Sequence, residues 1–111
     1  MTDGGSEIDI DDADFDVQVL QASEPTLVEF WAPWCGPCRV VAPVVEQVAR
    51  RRALRVVKIN IDTNQEVARR YRVVSIPTMI LFNEGEAIKK LLGAMPEAEL
   101  ETKLGSALGW A

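Results

Sequence analysis

The sequence alternates short runs of strand-forming residues with segments in which apolar residues recur every three or four positions. Residues 26–31 form a dense apolar run around one carboxylate, Glu29, and residues 54–61 form a second run. Between them, residues 40–49 have the periodicity of an amphipathic helix. A chain that alternates in this way pairs its strands in parallel and covers both faces of the sheet with helices.

The remaining patterns extend this unit at both ends. The predicted elements are, in chain order, a strand at 6–10, a helix at 15–20, the strand at 26–31, a helix at 38–52, the strand at 54–61, a short helix ending at Tyr71, a hairpin of strands 78–82 and 87–92 around Gly85, and a helix from Pro96 to Gly109. We therefore predict an α/β fold with a central mixed sheet of about five strands, flanked by four helices.

Three local signals refine the helices. Thr63 and Glu66 have the spacing of a capping box, which predicts the start of the short helix there. Pro43 lies inside the long helix and predicts a kink, because its ring crowds a backbone carbonyl. The three arginines at 50–52 have two open interpretations: they complement the helix C-terminus, or they form a basic binding patch.

Length and charge limit the possible functions. With 111 residues, the chain has room for one domain, which we place at 6–111 after a flexible acidic tail at 1–5. Residues 1–16 carry a net charge of −7 and the rest a net charge of +2, which does not resemble a nucleic-acid binder. No apolar run approaches a membrane span, and the N-terminus has no signal-peptide pattern, so we expect a cytoplasmic protein without a membrane partner.

The two cysteines, Cys35 and Cys38, are the chain's strongest chemical signal. No histidine is present, so neither a Cys–His nor a Ser–His nucleophile pair can form within the chain. The cysteines lie between a predicted central strand and the start of the longest helix. Backbone N–H groups and the helix dipole favour a thiolate at this position, which makes Cys35 the better-placed nucleophile. Cys38, which we expect to be more buried, is then the resolving thiol.

The residues between the cysteines suit a reversible disulfide. Gly36 permits a tight turn. Pro37 fits an early helical position, where a missing N–H costs least. The two residues also tune the redox potential of the disulfide. Three interpretations remain open at this point. The pair is a redox centre, or half of a zinc site that lacks its other ligands, or two buried cysteines without a role.

Residues 31–38 read Trp-Ala-Pro-Trp-Cys-Gly-Pro-Cys, which resembles the active-site signature of the thioredoxin family. The resemblance covers about 8–108 and includes Pro43, 58–62, 75–78 and 92–94. It implies a thioredoxin fold, a redox-active Cys35–Cys38 disulfide, no bound metal and no bound cofactor. NADPH and FAD then act only through the partner reductase.

The resemblance also implies further site residues. Pro77 is a candidate cis-proline that faces the disulfide, and Ile76 offers backbone groups to an extended client segment. Trp34, Gly93 and Ala94 complete an apolar platform around Cys35, although Trp34 also has the simpler interpretation of ordinary packing. Trp31 and Pro43 are expected to have structural roles.

Glu29 is a departure from the family pattern, which usually has Asp at this position. Strand alternation directs its carboxylate toward the cysteines, where burial raises a carboxyl pKa and makes Glu29 a candidate proton acceptor. Lys58, on the neighbouring strand, resembles the family lysine beside this carboxylate and counteracts that rise. The alternative for both residues is a structural buried ion pair without a part in turnover.

The leading functional hypothesis is a monomeric, general protein-disulfide reductase. Oxidised client proteins are its substrates, and an NADPH-dependent thioredoxin reductase recharges it, as the resemblance implies. One alternative is a redox-independent, chaperone-like binding platform on the same surface. A disulfide isomerase or oxidant is a third hypothesis, which fits less well because of the Gly36-Pro37 dipeptide.

Overall fold

A five-stranded mixed sheet forms the centre of the protein in the computed structural model, which describes residues 7–111. The strands are β1 (Glu7–Asp9), β2 (Thr26–Trp31), β3 (Arg55–Asn60), β4 (Thr78–Asn83) and β5 (Glu86–Leu92). Their order across the sheet is β1-β3-β2-β4-β5. The first three pair in parallel and β4 and β5 are antiparallel, as predicted. The expected tail at 1–5 lies outside the described residues.

The helices flank this sheet on both faces. They are α1 (Gly36–Arg52), α2 (Glu66–Arg70) and α3 (Glu97–Leu108). The helix predicted at 15–20 is instead a 3₁₀ turn (Asp12–Asp14) followed by a π-helical turn (Asp16–Leu20), which we call the first helical segment. Within residues 7–111, no helix is long and apolar enough to cross a membrane.

Strand alternation divides the core into two layers. Leu27 of β2 lies in a cluster with the apolar residues of α1 and α3. Val28 and Phe30 face the opposite layer, which contains the first helical segment and α2. Because side chains alternate along a strand, Glu29 shares the α1 face with Leu27. Pro43 lies inside α1, and the helix continues on both sides of it.

The start of α2 is the point at which the capping-box prediction is wrong. Thr63 and Glu66 do not form reciprocal bonds. The Asp12 carboxylate accepts hydrogen bonds from the backbone N–H groups of Glu66 and Val67, each at 3.0 Å. An acidic side chain from the first helical segment therefore satisfies two donors that α2 leaves unpaired at its N-terminus.

The arginines at the end of α1 pair with α3. Arg51 and Arg52 both form ion pairs with Glu101, and the Arg52 guanidinium lies 4.8 Å from the centre of the Trp110 ring. The Trp110 side chain packs against Gly105, and the backbone N–H of Trp110 donates to the Gly105 carbonyl at 3.0 Å. Two of the three arginines thus hold the C-terminal helix to α1, which favours the structural interpretation of the basic run.

Replacing Asp12 by Ala should lower the free energy of unfolding by about 1 kcal/mol, the usual effect of losing a helix cap. The loss follows because two N–H groups of α2 lose their acceptor. Urea denaturation of the oxidised protein measures it. Asp16→Ala is the control, because that exposed carboxylate makes only a 3.5 Å ion pair with Arg70. Equal stability of the two variants would show that Asp12 does not cap α2.

Candidate active site

The two cysteines lie where β2 passes into α1. Cys35 is the residue before α1, with an extended backbone (φ −88°, ψ 107°), and Cys38 belongs to the first turn of the helix. The two are joined as a disulfide, with their Cα atoms 5.3 Å apart. Gly36 and Pro37 occupy the first two positions of α1. Pro37 fits there because the first helical N–H groups have no partner within the helix.

The backbone of α1 favours negative charge on one sulfur. The N–H of Cys38 donates to Cys35 Sγ, with a distance of 3.1 Å between nitrogen and sulfur. Burial does not distinguish the two cysteines, contrary to the expectation that Cys38 is the more buried: their exposed fractions are 3% and 4%. The structure therefore separates Cys35 from Cys38 by this hydrogen bond and by position on the helix.

The loop before β4 lies beside the disulfide. The peptide bond between Ile76 and Pro77 is cis. The Ile76 side chain packs against the small apolar cluster that contains both cysteines, and Pro77 is buried. The Pro77 carbonyl accepts the N–H of Gly93 at 2.9 Å. Gly93 has a φ of +83°, which glycine adopts without strain, so the segment after β5 can approach this loop closely.

Apolar side chains are exposed around this loop and the disulfide. Trp34 is 65% exposed, so ordinary packing does not account for it, and its Nε1 donates to the Asp62 carboxylate at 3.0 Å. Ala94 is also exposed. Val74 is 93% exposed and Leu92 is exposed as well, although neither was among the residues predicted from the sequence. The sequence did contain a signal for both residues: Val74 directly precedes the loop at 75–77, and Leu92 directly precedes Gly93.

Glu29 is buried behind Cys38. It is 1% exposed, and neither of its carboxylate oxygens has a hydrogen-bond partner in the described part of the chain. A cavity of about 170 Å³ lies beside it, lined by Glu29, Trp31, Ala32, Pro33, Cys38, Arg39, Ala42 and Lys58. As predicted from the strand alternation, the carboxylate and the second cysteine thus border the same space.

Lys58 lies directly opposite Glu29 in the pairing of β2 with β3. From the sequence, Lys58 and Glu29 could also form a direct ion pair. Among the described residues, these two side chains form none. Instead, the Lys58 ammonium lies 5.2 Å from the centre of the Trp31 ring, in cation–π geometry. Trp31 is therefore placed to hold the ammonium, which agrees with a structural role for this indole.

Burial raises the pKa of Glu29 to about 7. The Lys58 charge counteracts this rise, and the negative charges of Glu7 and Asp9 add to it. A carboxyl group with this pKa changes its protonation near neutral pH, which suits a group that takes a proton and returns it. Between Glu7 and Ala111, no cluster of three or more potential metal ligands is present.

Comparison with known proteins identifies the family. The family model described as thioredoxin matches residues 6–106. The thioredoxin of Mycobacterium tuberculosis is 49% identical over 108 residues, covering 94% of this chain and 93% of that protein. Thioredoxin 1 of Synechococcus elongatus is 46% identical over 97 residues, covering 86% of this chain and 91% of that protein.

A longer relative is the bifunctional thioredoxin reductase/thioredoxin of Mycobacterium leprae, 50% identical over 105 residues, which are 90% of this chain and 23% of that protein. Thioredoxins work with thioredoxin reductase and client proteins, and they bind no cofactor, since NADPH and FAD belong to the reductase. The chain belongs to the thioredoxin family and is a thiol–disulfide oxidoreductase, a dithiol–disulfide reductase whose active group is the Cys35–Cys38 disulfide.

Proposed function

We propose that the protein is a general reductant of protein disulfides, with Cys35 as the nucleophile and Cys38 as the resolving thiol. The observation that carries this assignment is the hydrogen bond from the Cys38 N–H to Cys35 Sγ at the start of α1. A thiolate at this position is stabilised by the amide and by the helix dipole, by roughly 1 kcal/mol or more. Cys38 has no equivalent bond to its sulfur among the described residues.

The reaction proceeds in two exchanges. The Cys35 thiolate attacks one sulfur of the client disulfide, and the other client sulfur leaves as a thiolate and takes a proton from water. Cys38 then passes its proton to Glu29, and its thiolate attacks Cys35 Sγ in the mixed disulfide. The client leaves with both sulfurs reduced, and the Cys35–Cys38 disulfide forms. Two electrons have moved from the protein to the client.

Clients bind on the surface around Cys35, which we call the client platform. It consists of the exposed or partly exposed residues Trp34, Val74, Ile76, Leu92, Gly93 and Ala94 and of the buried Pro77 that adjoins Ile76. The hydrogen bond from the Gly93 N–H to the Pro77 carbonyl supports this assignment, because it joins the segment after β5 to the loop whose Ile76 packs against the cysteines. A shallow apolar surface suits many unfolded or extended client segments, which pair mainly through backbone and apolar contacts.

Glu29 is the proton acceptor for Cys38, and Lys58 adjusts the charge of the Glu29 carboxylate. The shared cavity and the unpaired carboxylate oxygens support this role. Glu is one methylene longer than the usual Asp, which gives the carboxylate more reach along the cavity wall. Lys58 lies over Trp31, so it acts on Glu29 through space and leaves both oxygens available to accept a proton.

We further propose that an NADPH-dependent thioredoxin reductase recharges the protein in the cytoplasm, where a reducing environment maintains the dithiol. The Mycobacterium leprae relative is a bifunctional thioredoxin reductase/thioredoxin, which supports this partnership. The protein is proposed to act as a monomer, without a nucleic acid or a membrane. In support, Arg51 and Arg52 already pair with Glu101, which reduces the basic character of that surface.

A second candidate function is a binding platform that does not need the cysteines. The 65% exposure of Trp34 and the 93% exposure of Val74 favour it, because large exposed apolar groups often mark binding surfaces. The two candidates differ in their dependence on the cysteine thiols.

Cys38→Ser should abolish catalytic insulin reduction but accumulate stable mixed disulfides with clients. Cys35→Ser should abolish both, because the remaining thiol of Cys38 has, within residues 7–111, no N–H bonded to its sulfur that would stabilise a thiolate. Insulin turbidity and non-reducing gels of cell extract measure these outcomes. If both variants retained full binding of clients without covalent capture, the platform function would be favoured over the reductase.

Glu29→Gln should slow the attack of Cys38 on the mixed disulfide by about a hundredfold or more, because general-base catalysis is removed. Attack of Cys35 on the client should change much less. Stopped-flow reaction with Ellman's reagent resolves the two steps as two releases of coloured thiolate. Equal slowing of both steps, or of neither, would contradict the proposed role of Glu29.

Glu29 should also make the oxidised protein less stable as the pH rises. Below pH 4 the carboxyl is protonated in both the folded and the unfolded states. Between about pH 4.5 and 7 only the unfolded state loses its proton, so the stability contribution of Glu29 falls. Relative to wild type, Glu29→Gln should therefore gain about 3 kcal/mol in unfolding free energy between pH 4 and pH 8.

Urea denaturation at both pH values measures this change. Glu24→Gln is the control, because it removes the same group from an exposed position. A Glu29→Gln difference that changes with pH no more than the Glu24→Gln difference would mean that burial does not raise the folded-state pKa of Glu29.

A further inference from the structure

A row of charged side chains crosses three strands of the sheet behind the disulfide. Asp9 of β1 pairs in register with Lys58 of β3, and Lys58 pairs in register with Glu29 of β2. Residues in register on parallel strands lie on the same face, which here is the face covered by α1. The row runs from the exposed edge of the sheet at Asp9 to the buried carboxylate beside Cys38.

Glu7 lies on the same face of β1, two residues before Asp9. It is half-buried, and its Oε2 is buried without a hydrogen-bond partner in the described part of the chain. Burial raises the pKa of Glu7; Lys58 and Arg50 counteract this rise, and Glu46 and Asp9 add to it. Glu7 and Glu29 thus interact with the charge of Lys58, and Asp9 lies opposite Lys58 in the pairing of β1 with β3.

We propose that Glu7 and Asp9 are positioning residues of the redox site, which compete with Glu29 for the positive charge of Lys58. By this competition they keep Glu29 protonated to a higher pH than Lys58 alone would allow. The acidic edge strand then raises the pH, already shifted by burial, at which Glu29 becomes able to accept the proton of Cys38. The inference rests on the proposed role of Glu29 for its effect on turnover, although not for its effect on Glu29 itself.

The placement of Lys58 supports this competition. Its ammonium makes no direct ion pair with any carboxylate in residues 7–111 and lies over the Trp31 ring. It therefore acts on its three carboxylate neighbours by through-space attraction, which opposes the effect of their mutual repulsion on ionisation. Other charges near the row are Arg39, which lines the cavity, and Glu46 and Arg50 of α1, which face Glu7. Removing one carboxylate of β1 changes this balance in favour of ionised Glu29.

The variants that test the proposal are Asp9→Asn and Glu7→Gln, each of which removes one negative charge with little change in shape. Glu24→Gln removes the same charge from an exposed side chain that precedes β2, at the opposite end of that strand from Trp31. It is the matched control for an effect of net charge alone. Carboxyl-carbon NMR of the oxidised protein reports the pKa of Glu29 directly, because disulfide-bonded cysteines do not titrate.

Asp9→Asn and Glu7→Gln should each lower the measured pKa of Glu29 by about half a unit, and Glu24→Gln should not. The second, Cys38-dependent step with Ellman's reagent should become about two- to threefold faster at pH 6 and change little at pH 8. The Asp9 effect should shrink in 1 M salt, because Asp9 is exposed and its charge is screened.

The two readouts separate this proposal from the role of Glu29 in turnover. An unchanged NMR pKa in both β1 variants overturns the proposal, even if Glu29→Gln slows the second step. A lowered pKa with an unchanged rate profile supports the electrostatic coupling and instead contradicts Glu29 as the proton acceptor. A shift of the same size in Glu24→Gln also overturns the proposal, because net charge alone would then explain it.

Discussion

The hydrogen bond from the Cys38 N–H to Cys35 Sγ depends on a fixed junction between β2 and α1. β2 is the central strand, paired on both sides, and its end places the loop before Cys35. α1 is held against the sheet by the apolar layer around Leu27 and against α3 by Arg51 and Arg52. These contacts fix α1 relative to the sheet, and in the disulfide form the backbone N–H of Cys38 points at Cys35 Sγ.

The carboxylate of Glu29 is buried, and neither of its oxygens has a hydrogen-bond partner among the described residues. A charged group without a hydrogen-bond partner is unfavourable in the core, and at neutral pH the raised pKa corresponds to a loss of about 3 kcal/mol in stability. A leucine at this position would remove that loss. A carboxyl that ionises near pH 7 beside a thiol is useful for proton transfer, which is a physical reason to keep a destabilising residue there.

The sequence predicted those features that depend on local pattern. The alternation of β2 placed Glu29 on the side of the cysteines, and the strand–helix junction placed Cys35 before α1, and both predictions are confirmed by the structure. The capping of α2 by Asp12 was missed, because the two segments are more than fifty residues apart and a local capping box appeared sufficient. The exposure of Val74 was also missed, since it depends on the path of the loop before Pro77 and not on a local pattern.

The two cysteines receive their chemistry from opposite sides of the same junction. The helix acts on Cys35 through a backbone N–H, which no side-chain substitution on the sheet removes. In the proposed mechanism, the sheet acts on Cys38 through Glu29, whose charge depends on Lys58 and, across β3, on Glu7 and Asp9 of β1. The negative charge of β1 would then matter for the redox site as well as for the net charge of the chain. Under this proposal, attack on the client and release of the client can be adjusted separately, because substitutions in β1 would act on the second step and leave the helix N-terminus unchanged.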